Sequence, residues 1–134
     1  MKKILLSIIG TCGSIISYFI GGVDEMFIAL CVFITADFIA GIVVAGVFNK
    51  STKTESGKIN SSVCYKGLLK KIFIIILVGV ANMLDMVLGV SIIRGGTIVA
   101  FMVNELISLL ENAGLMGVPI PAPIKKALDM LQEK

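Results

Sequence analysis

The 134-residue sequence contains no histidine and no tryptophan, and only 16 % of its residues are charged. The absence of histidine excludes Ser/His/Asp and Cys/His catalysis and most zinc sites. Apolar residues make up 57 % of the chain, and the mean hydropathy is +1.01. Because soluble domains carry about 25 % charged residues, this composition indicates an integral membrane protein. The net charge of +3 is too small to suggest a nucleic-acid partner.

Four apolar stretches approach or exceed the length of about 20 residues that a membrane-spanning helix needs. We therefore predict an all-α integral membrane bundle in a single domain of residues 1–134. The predicted spans cover about 4–20, 26–48, 72–93 and 97–116. The chain between the second and third spans, 49–71, is rich in Ser, Thr, Lys and Gly and is predicted as a solvated loop. Three prolines end the fourth span, and 119–134 is predicted as a short amphipathic tail.

The first apolar stretch has two other interpretations. Lys2 and Lys3 followed by an apolar run resemble a signal peptide, but no small-x-small cleavage site follows, so we favour an uncleaved helix. The stretch is also short for a span, which leaves a bundle of three transmembrane helices open.

The positive charges predict the orientation of the spans. With four spans, all eleven lysines fall on one side of the membrane and Arg94 falls on the other. Because cytoplasmic loops carry the excess of Lys and Arg, we expect both termini and the 49–71 loop to be cytoplasmic.

Three carboxyl groups interrupt the apolar spans. Counted at about 1.5 Å per residue, Asp37, Asp85 and Glu105 lie at similar depths near the middle of the membrane. Ionisable groups are costly there, so we expect them to be protonated, hydrogen-bonded to one another or in contact with water. We predict Asp37 and Asp85 as buried partners that control assembly.

The fourth span carries one polar stripe. Its polar residues fall within an arc of about 120° at 100° per residue. The stripe comprises Thr97, Asn104, Glu105, Ser108, Glu111 and Asn112. It either holds helices together or lines an aqueous path once several copies assemble, and for both roles we expect homo-oligomers. Small residues that would let helices approach closely are Gly41 and Ala45 beside Asp37, and Gly10 and Ser14 in the first stretch.

No pattern in the chain indicates an active site. The glycines form no phosphate-binding loop, and Cys12 and Cys31 lie in apolar runs as small hydrophobic residues. We therefore predict no catalytic residues, no metal, no cofactor and no enzymatic activity.

Several local motifs occur in a recognisable order. Asp37-x3-Gly41 precedes a basic segment with Ser61-Ser62 and Gly67-Leu-Leu-Lys-Lys71, and a span with Asp85 follows. The chain then continues with NELISLLENAGLMGVPIP from Asn104 to Pro121. Over about 27–132 the sequence resembles the toxin-secretion/phage-lysis holin family, which includes phage holins and small holins encoded beside clostridial toxin genes.

The resemblance implies a holin of the bacterial cytoplasmic membrane. Such proteins accumulate, oligomerise at a set time and open lesions through which an endolysin or a toxin escapes. The predicted lumen or helix contact is then Asn104, Glu105, Ser108, Glu111 and Asn112. Two alternatives from other classes stay open. One is a small proton-coupled exporter that works as a dimer, and the other is a scaffolding subunit of a membrane complex.

Overall fold

A computed structural model describes residues 1–133, and within that range the chain is helical with no strands. The helices are α1 (Lys2–Ile20), α2 (Glu25–Gly46), α3 (Ser61–Leu88), α4 (Ile93–Leu115) and α5 (Ala122–Gln132). The first four are long and apolar enough to cross a membrane, so the predicted all-α, four-span class is confirmed. Lys134, one of the lysines counted for the orientation, lies outside the described residues.

The prediction of a loop over 49–71 is wrong for its last eleven residues, because α3 already begins at Ser61. The side chain of Asn60 accepts hydrogen bonds from the backbone N–H groups of Ser62 and Val63, at 2.9 and 3.2 Å. Such an N-cap satisfies backbone donors that a helix start otherwise leaves free. The helix therefore runs through the lysines that the composition had assigned to a loop.

The turn between α3 and α4 also differs from the prediction. Helix α3 ends at Leu88, five residues before the predicted end, because Gly89 adopts a left-handed conformation with φ 66°. Helix α4 begins at Ile93, four residues before the predicted start. The connection is consequently a tight turn of four residues.

Helices α2 and α4 run parallel, and α3 lies antiparallel to both. A Cβ on Gly95 would lie 3.9 Å from Met26, and one on Gly41 would lie 4.0 Å from the Asn112 amide, so early residues of α2 face early residues of α4. We call the end of the bundle with residues 21–24 and 89–92 the turn end. The end with residues 47–60 is the loop end.

The apolar core occupies the half of the bundle near the turn end. Leu30 from α2, Val78 from α3 and Ile98 from α4 are completely inaccessible to solvent. Phe27 and the last residue of α1, Ile20, complete this cluster. In the other half of the three-helix contact, buried polar side chains lie beside a few small apolar residues of α2 such as Val44.

Helix α1 joins the bundle only through its C-terminal end. The ring of Phe19 lies on Gly79 so closely that a Cβ there would overlap it. The Asn82 amide donates to the carbonyl oxygens of Tyr18 and Phe19, at 3.3 and 3.1 Å, and so satisfies free acceptors at the helix end. Gly10 and Ser14 are exposed, and their role in packing stays a prediction.

Helix α5 folds back along α4. Leu131 lies beside Val99 and Val103 near the middle of α4, so α5 runs antiparallel to it. The charged side chains of α5 and of the residue that follows it are exposed: Lys125, Lys126, Asp129 and Glu133. The residues predicted as a short amphipathic tail thus form a helix with one edge against the bundle.

Candidate functional site

A buried ion-pair cluster joins α2, α3 and α4 in the half of the bundle near the loop end. The Lys71 ammonium donates to Asp37 Oδ2 at 2.8 Å and to Glu105 Oε2 at 2.6 Å. The Asn112 side-chain amide donates to the second oxygen, Asp37 Oδ1, at 3.0 Å. We call these four residues the Lys71 cluster.

The cluster is almost closed to solvent. Side-chain exposure is 12 % for Lys71, 3 % for Asp37 and 8 % for Glu105. Charges are expensive to bury unless they are paired and hydrogen-bonded. Pairing through one ammonium therefore offsets part of the cost of placing two carboxyls from different helices inside an apolar bundle.

The spacing of residues along α4 determines which part of the polar stripe reaches the cluster. Glu105 and Asn112 are seven residues apart, so they lie on one face two turns apart. Both are buried. Asn104 and Glu111, also seven apart, lie on the adjacent face and are exposed, while Ser108 between the two faces is half-buried. The stripe is therefore divided into a buried edge and an exposed edge.

Small residues of α2 allow the two parallel helices to approach. Gly41 lies one turn after Asp37 and faces the Asn112 amide, and Ala45 is buried one turn further. A larger side chain at Gly41 would enter the space beside the amide. The small residues predicted for close packing thus line the same contact as the cluster.

Lys71 is the member of the cluster that the sequence analysis missed. It was counted as a loop residue because lysines are concentrated in that part of the chain. Two local signals could have placed it in a helix: Asn60-Ser61-Ser62 is a helix start, and Leu68 and Leu69 give apolar positions before the lysine. No local signal indicates its two carboxylate partners.

Asp85 does not join the other two carboxyls, so the expectation that all three lie at one depth is wrong. Fourteen residues separate it from Lys71 on α3, which corresponds to about 21 Å along the axis. Its two carboxylate oxygens instead accept from the backbone N–H groups of Ile93 and Arg94, both at 2.9 Å. Asp85 therefore caps the N-terminus of α4 from the neighbouring helix, where a negative charge is favoured.

Arg94 holds the connection between α1 and α2 at the turn end. Its guanidinium donates to the carbonyl oxygens of Ile20 and Gly22, at 2.6 and 3.0 Å. It also contacts both carboxylate oxygens of Asp24, at 2.8 and 3.2 Å. Asp24 in turn caps α2 by accepting from Phe27 N–H at 3.0 Å. The arginine predicted to lie alone on its side thus has a structural contact.

This contact predicts that the stability of the folded protein depends on pH through Asp24 at the turn end. The hydrogen bond from Arg94 lowers the pKa of Asp24 below its ordinary value of 3.8. A lowered folded-state pKa means that the stabilisation is complete above 3.8 and is lost as the pH falls through the lower value. Because Asp24 is about half exposed, the effect is at most about 1 kcal/mol.

The measurement is thermal unfolding in detergent of the parent and of Asp24→Asn, which keeps a capping side chain. We expect the parent to be slightly more stable at neutral pH, and the difference to disappear below 3.8. A difference that stays constant down to strongly acidic pH would contradict the role of the ion pair.

The class of protein follows from the fold and the composition: this is a multi-pass α-helical membrane protein. The bacteriophage holin family matches residues 14–133. The chain therefore belongs to the bacteriophage holin family, and the resemblance predicted from the motifs is confirmed. No solved structure matches it.

Curated relatives match over most of their length. An uncharacterised protein of Listeria monocytogenes is 36 % identical over 123 residues, covering 91 % of this chain and 82 % of the relative. One from Halalkalibacterium halodurans is 36 % identical, covering 87 % and 85 %. A 14.9 kDa protein of Clostridium perfringens, described as lying in the nagH 3′ region, is 34 % identical, covering 91 % and 88 %.

Proposed function

We propose that this protein is a holin that assembles with copies of itself in the bacterial cytoplasmic membrane and opens lesions. An endolysin or a toxin then leaves the cytosol through them, without necessarily touching the protein. Family membership supports the proposal, and the lysine distribution supports cytoplasmic termini and a cytoplasmic loop end. The role is non-enzymatic and needs no cofactor or metal.

The observation that carries self-assembly is the exposed edge of the stripe on α4. Asn104 and Glu111 project from the surface of a helix that is long and apolar enough to span the bilayer. Polar side chains in that position stabilise contacts between membrane helices, by about 1 kcal/mol each. A second copy of the chain supplies partners for them, and several copies place the two residues around a common lumen.

The buried edge of the stripe adds a condition for lesion formation. In the packed monomer, Glu105 and Asn112 bind Lys71 and Asp37, so they are not free to line a lumen. We infer that the packed monomer is the harmless, accumulating state. Opening the Lys71 cluster would expose further polar groups of α2, α3 and α4. These groups would enlarge the polar surface that can line a water-filled lumen.

The exporter alternative has less support. Binding sites for drug-sized molecules have volumes of about 300–1,000 Å³, whereas the cavity beside the cluster measures only about 60 Å³. Larger surface grooves, of about 520–740 Å³, have no carboxyl group in their walls. A carrier also needs a substrate-facing carboxyl, but here Asp37 and Glu105 are engaged with Lys71, and Asp85 caps α4.

The function is tested by inducing expression in bacteria that hold a folded cytosolic reporter enzyme and a membrane-potential dye. A holin produces delayed, sudden growth arrest, loss of potential and release of the reporter. Depolarisation with the reporter retained would indicate a small pore instead. Unchanged growth and potential would refute the proposal in favour of a subunit of another complex, and cross-linking of the purified chain would then show no self-association.

The timing of lysis is predicted to depend on the cluster. Asp37→Leu removes the acceptors of Lys71 and Asn112, so it weakens the packed monomer, and we expect an earlier onset of lysis. The control is Lys58→Ala in the exposed loop, which changes a cytoplasmic positive charge without touching the cluster. Onset is measured at protein levels matched by immunoblot. Identical onset for Asp37→Leu and the parent would remove Asp37 from the mechanism.

A further inference from the structure

The Lys71 cluster has more acidic groups than basic ones. Asp37 and Glu105 face a single ammonium, and Asn112 is neutral. With all three ionisable groups charged, one negative charge would remain uncompensated in a site that is nearly closed to solvent. An unpaired charge in an apolar interior is far more costly than its neutral form. The cluster therefore requires one further positive charge.

The hydrogen bonds indicate where that charge is held. Asp37 uses both oxygens, one toward Lys71 and one toward Asn112. Glu105 is 6 % exposed, and among the described residues only Lys71 donates to it, through Oε2. The carboxylate with fewer donors is the easier one to protonate. Glu105 Oε1, which receives no hydrogen bond from the described residues, is thus the oxygen that can carry the hydrogen.

A small cavity connects the cluster to the loop end. It measures about 60 Å³, and its wall includes Asp37, Gly41 and Lys71 together with Asn60 and Gly67, which lie nearer the loop end. That volume has space for a few water molecules, and the wall offers them polar partners. Buried ionisable residues of membrane proteins characteristically border such water-filled cavities.

We propose that the Lys71 cluster is a binding site for one exchangeable proton, which Glu105 holds in the packed state and which enters through this cavity from the loop end. Lys71 contacts both carboxyls and so links the cavity wall to Glu105. The titratable groups around the proton are Asp37 on α2, Lys71 and Cys64 on α3, Glu105 on α4 and Lys53 in the loop at the cavity wall. This inference concerns the packed chain and does not depend on lesion formation.

The first experiment detects the proton itself. Infrared difference spectra of the full chain in lipid vesicles at neutral pH should show a protonated-carboxyl stretching band. Glu105→Gln, which imitates the neutral acid in shape, should remove the band, whereas Glu55→Gln in the exposed loop should leave it intact. A parent spectrum without the band would overturn the proposal. The same holds if the band is absent and the protein instead needs sodium ions to be stable, because a sodium ion would then supply the positive charge. A band that survives Glu105→Gln would do the same.

The second experiment tests the water route and does not alter the cluster's ionisable groups. Single cysteines are placed at Gly41, where a Cβ has room, and at Ile39, which is exposed on the outer surface at nearly the same depth. The three native cysteines are replaced by alanine. A small, charged methanethiosulfonate added from the loop end should modify Gly41→Cys at least about ten times faster than Ile39→Cys, because the thiolate that reacts forms only in water. Equal rates, or faster reaction from the turn end, would overturn the route.

Discussion

Lys71→Met should be the most destabilising single substitution in the polar half of the bundle. It removes the only positive charge in contact with Asp37 and Glu105 within the described structure and leaves a carboxylate buried without a counter-charge. Breaking a buried ion pair by removing one partner costs about 3–5 kcal/mol. The measurement is the free energy of unfolding of the purified protein in mixed micelles, followed by circular dichroism.

The chain offers a close control for this prediction. Lys70 is the preceding residue on the same helix but is exposed, so Lys70→Met should change the free energy of unfolding by less than about 0.5 kcal/mol. Asp37→Asn should cost less than Lys71→Met, because Glu105 can lose its proton and then compensate the ammonium. Combining Lys71→Met with Asp37→Asn should recover most of the lost stability. Equal effects of Lys71→Met and Lys70→Met would show that the cluster does not stabilise the fold.

The second large effect concerns the attachment of α1 to α3. In Gly79→Ala the new methyl group would overlap the ring of Phe19, so the ring must move and take the end of α1 with it. Overpacking of this kind costs about 1–3 kcal/mol. We expect a lower free energy of unfolding and faster hydrogen exchange of the backbone amides near Phe19.

A glycine-to-alanine substitution elsewhere in α3 should change the free energy of unfolding in the opposite direction. A Cβ on Gly67 meets no atom within 4 Å, and alanine favours a helix over glycine by about 1 kcal/mol. Gly67→Ala should therefore leave the contact of α1 unchanged and stabilise α3 slightly. If Gly79→Ala were neutral or stabilising as well, the close approach of Phe19 would be unimportant for holding α1.

The predicted helices and the observed ones differ mainly where polar side chains interact with the backbone. The apolar run from Ile72 indicates a membrane segment but not the start of α3, because the first turns of that helix are capped by Asn60 and carry lysines. Likewise α4 begins early because Asp85, eight residues before Ile93, supplies its cap. Hydropathy alone does not contain these capping contacts.

The candidate site could be predicted only in part. Asp37, Glu105 and Asn112 were singled out because polar residues inside apolar spans need partners. Asp85 was placed with them because depth counted along a helix does not identify a neighbour. Lys71 was missed because its partners lie 34 residues away in both directions, and no periodic pattern reports a contact over that separation.

By itself the sequence determined the class of this protein and its family, because the lengths of apolar runs, the composition and the order of motifs can be read without knowing which residues meet in space. It also determined which side chains of α4 share a stripe, since helical periodicity places them there. Only the tertiary structure decided that the stripe has a buried and an exposed edge, and that one lysine binds carboxyl groups of two other helices. The reason is physical: the rotation of each helix relative to its neighbours depends on contacts such as the close approach of Phe19 to Gly79, and this rotation selects which polar groups meet.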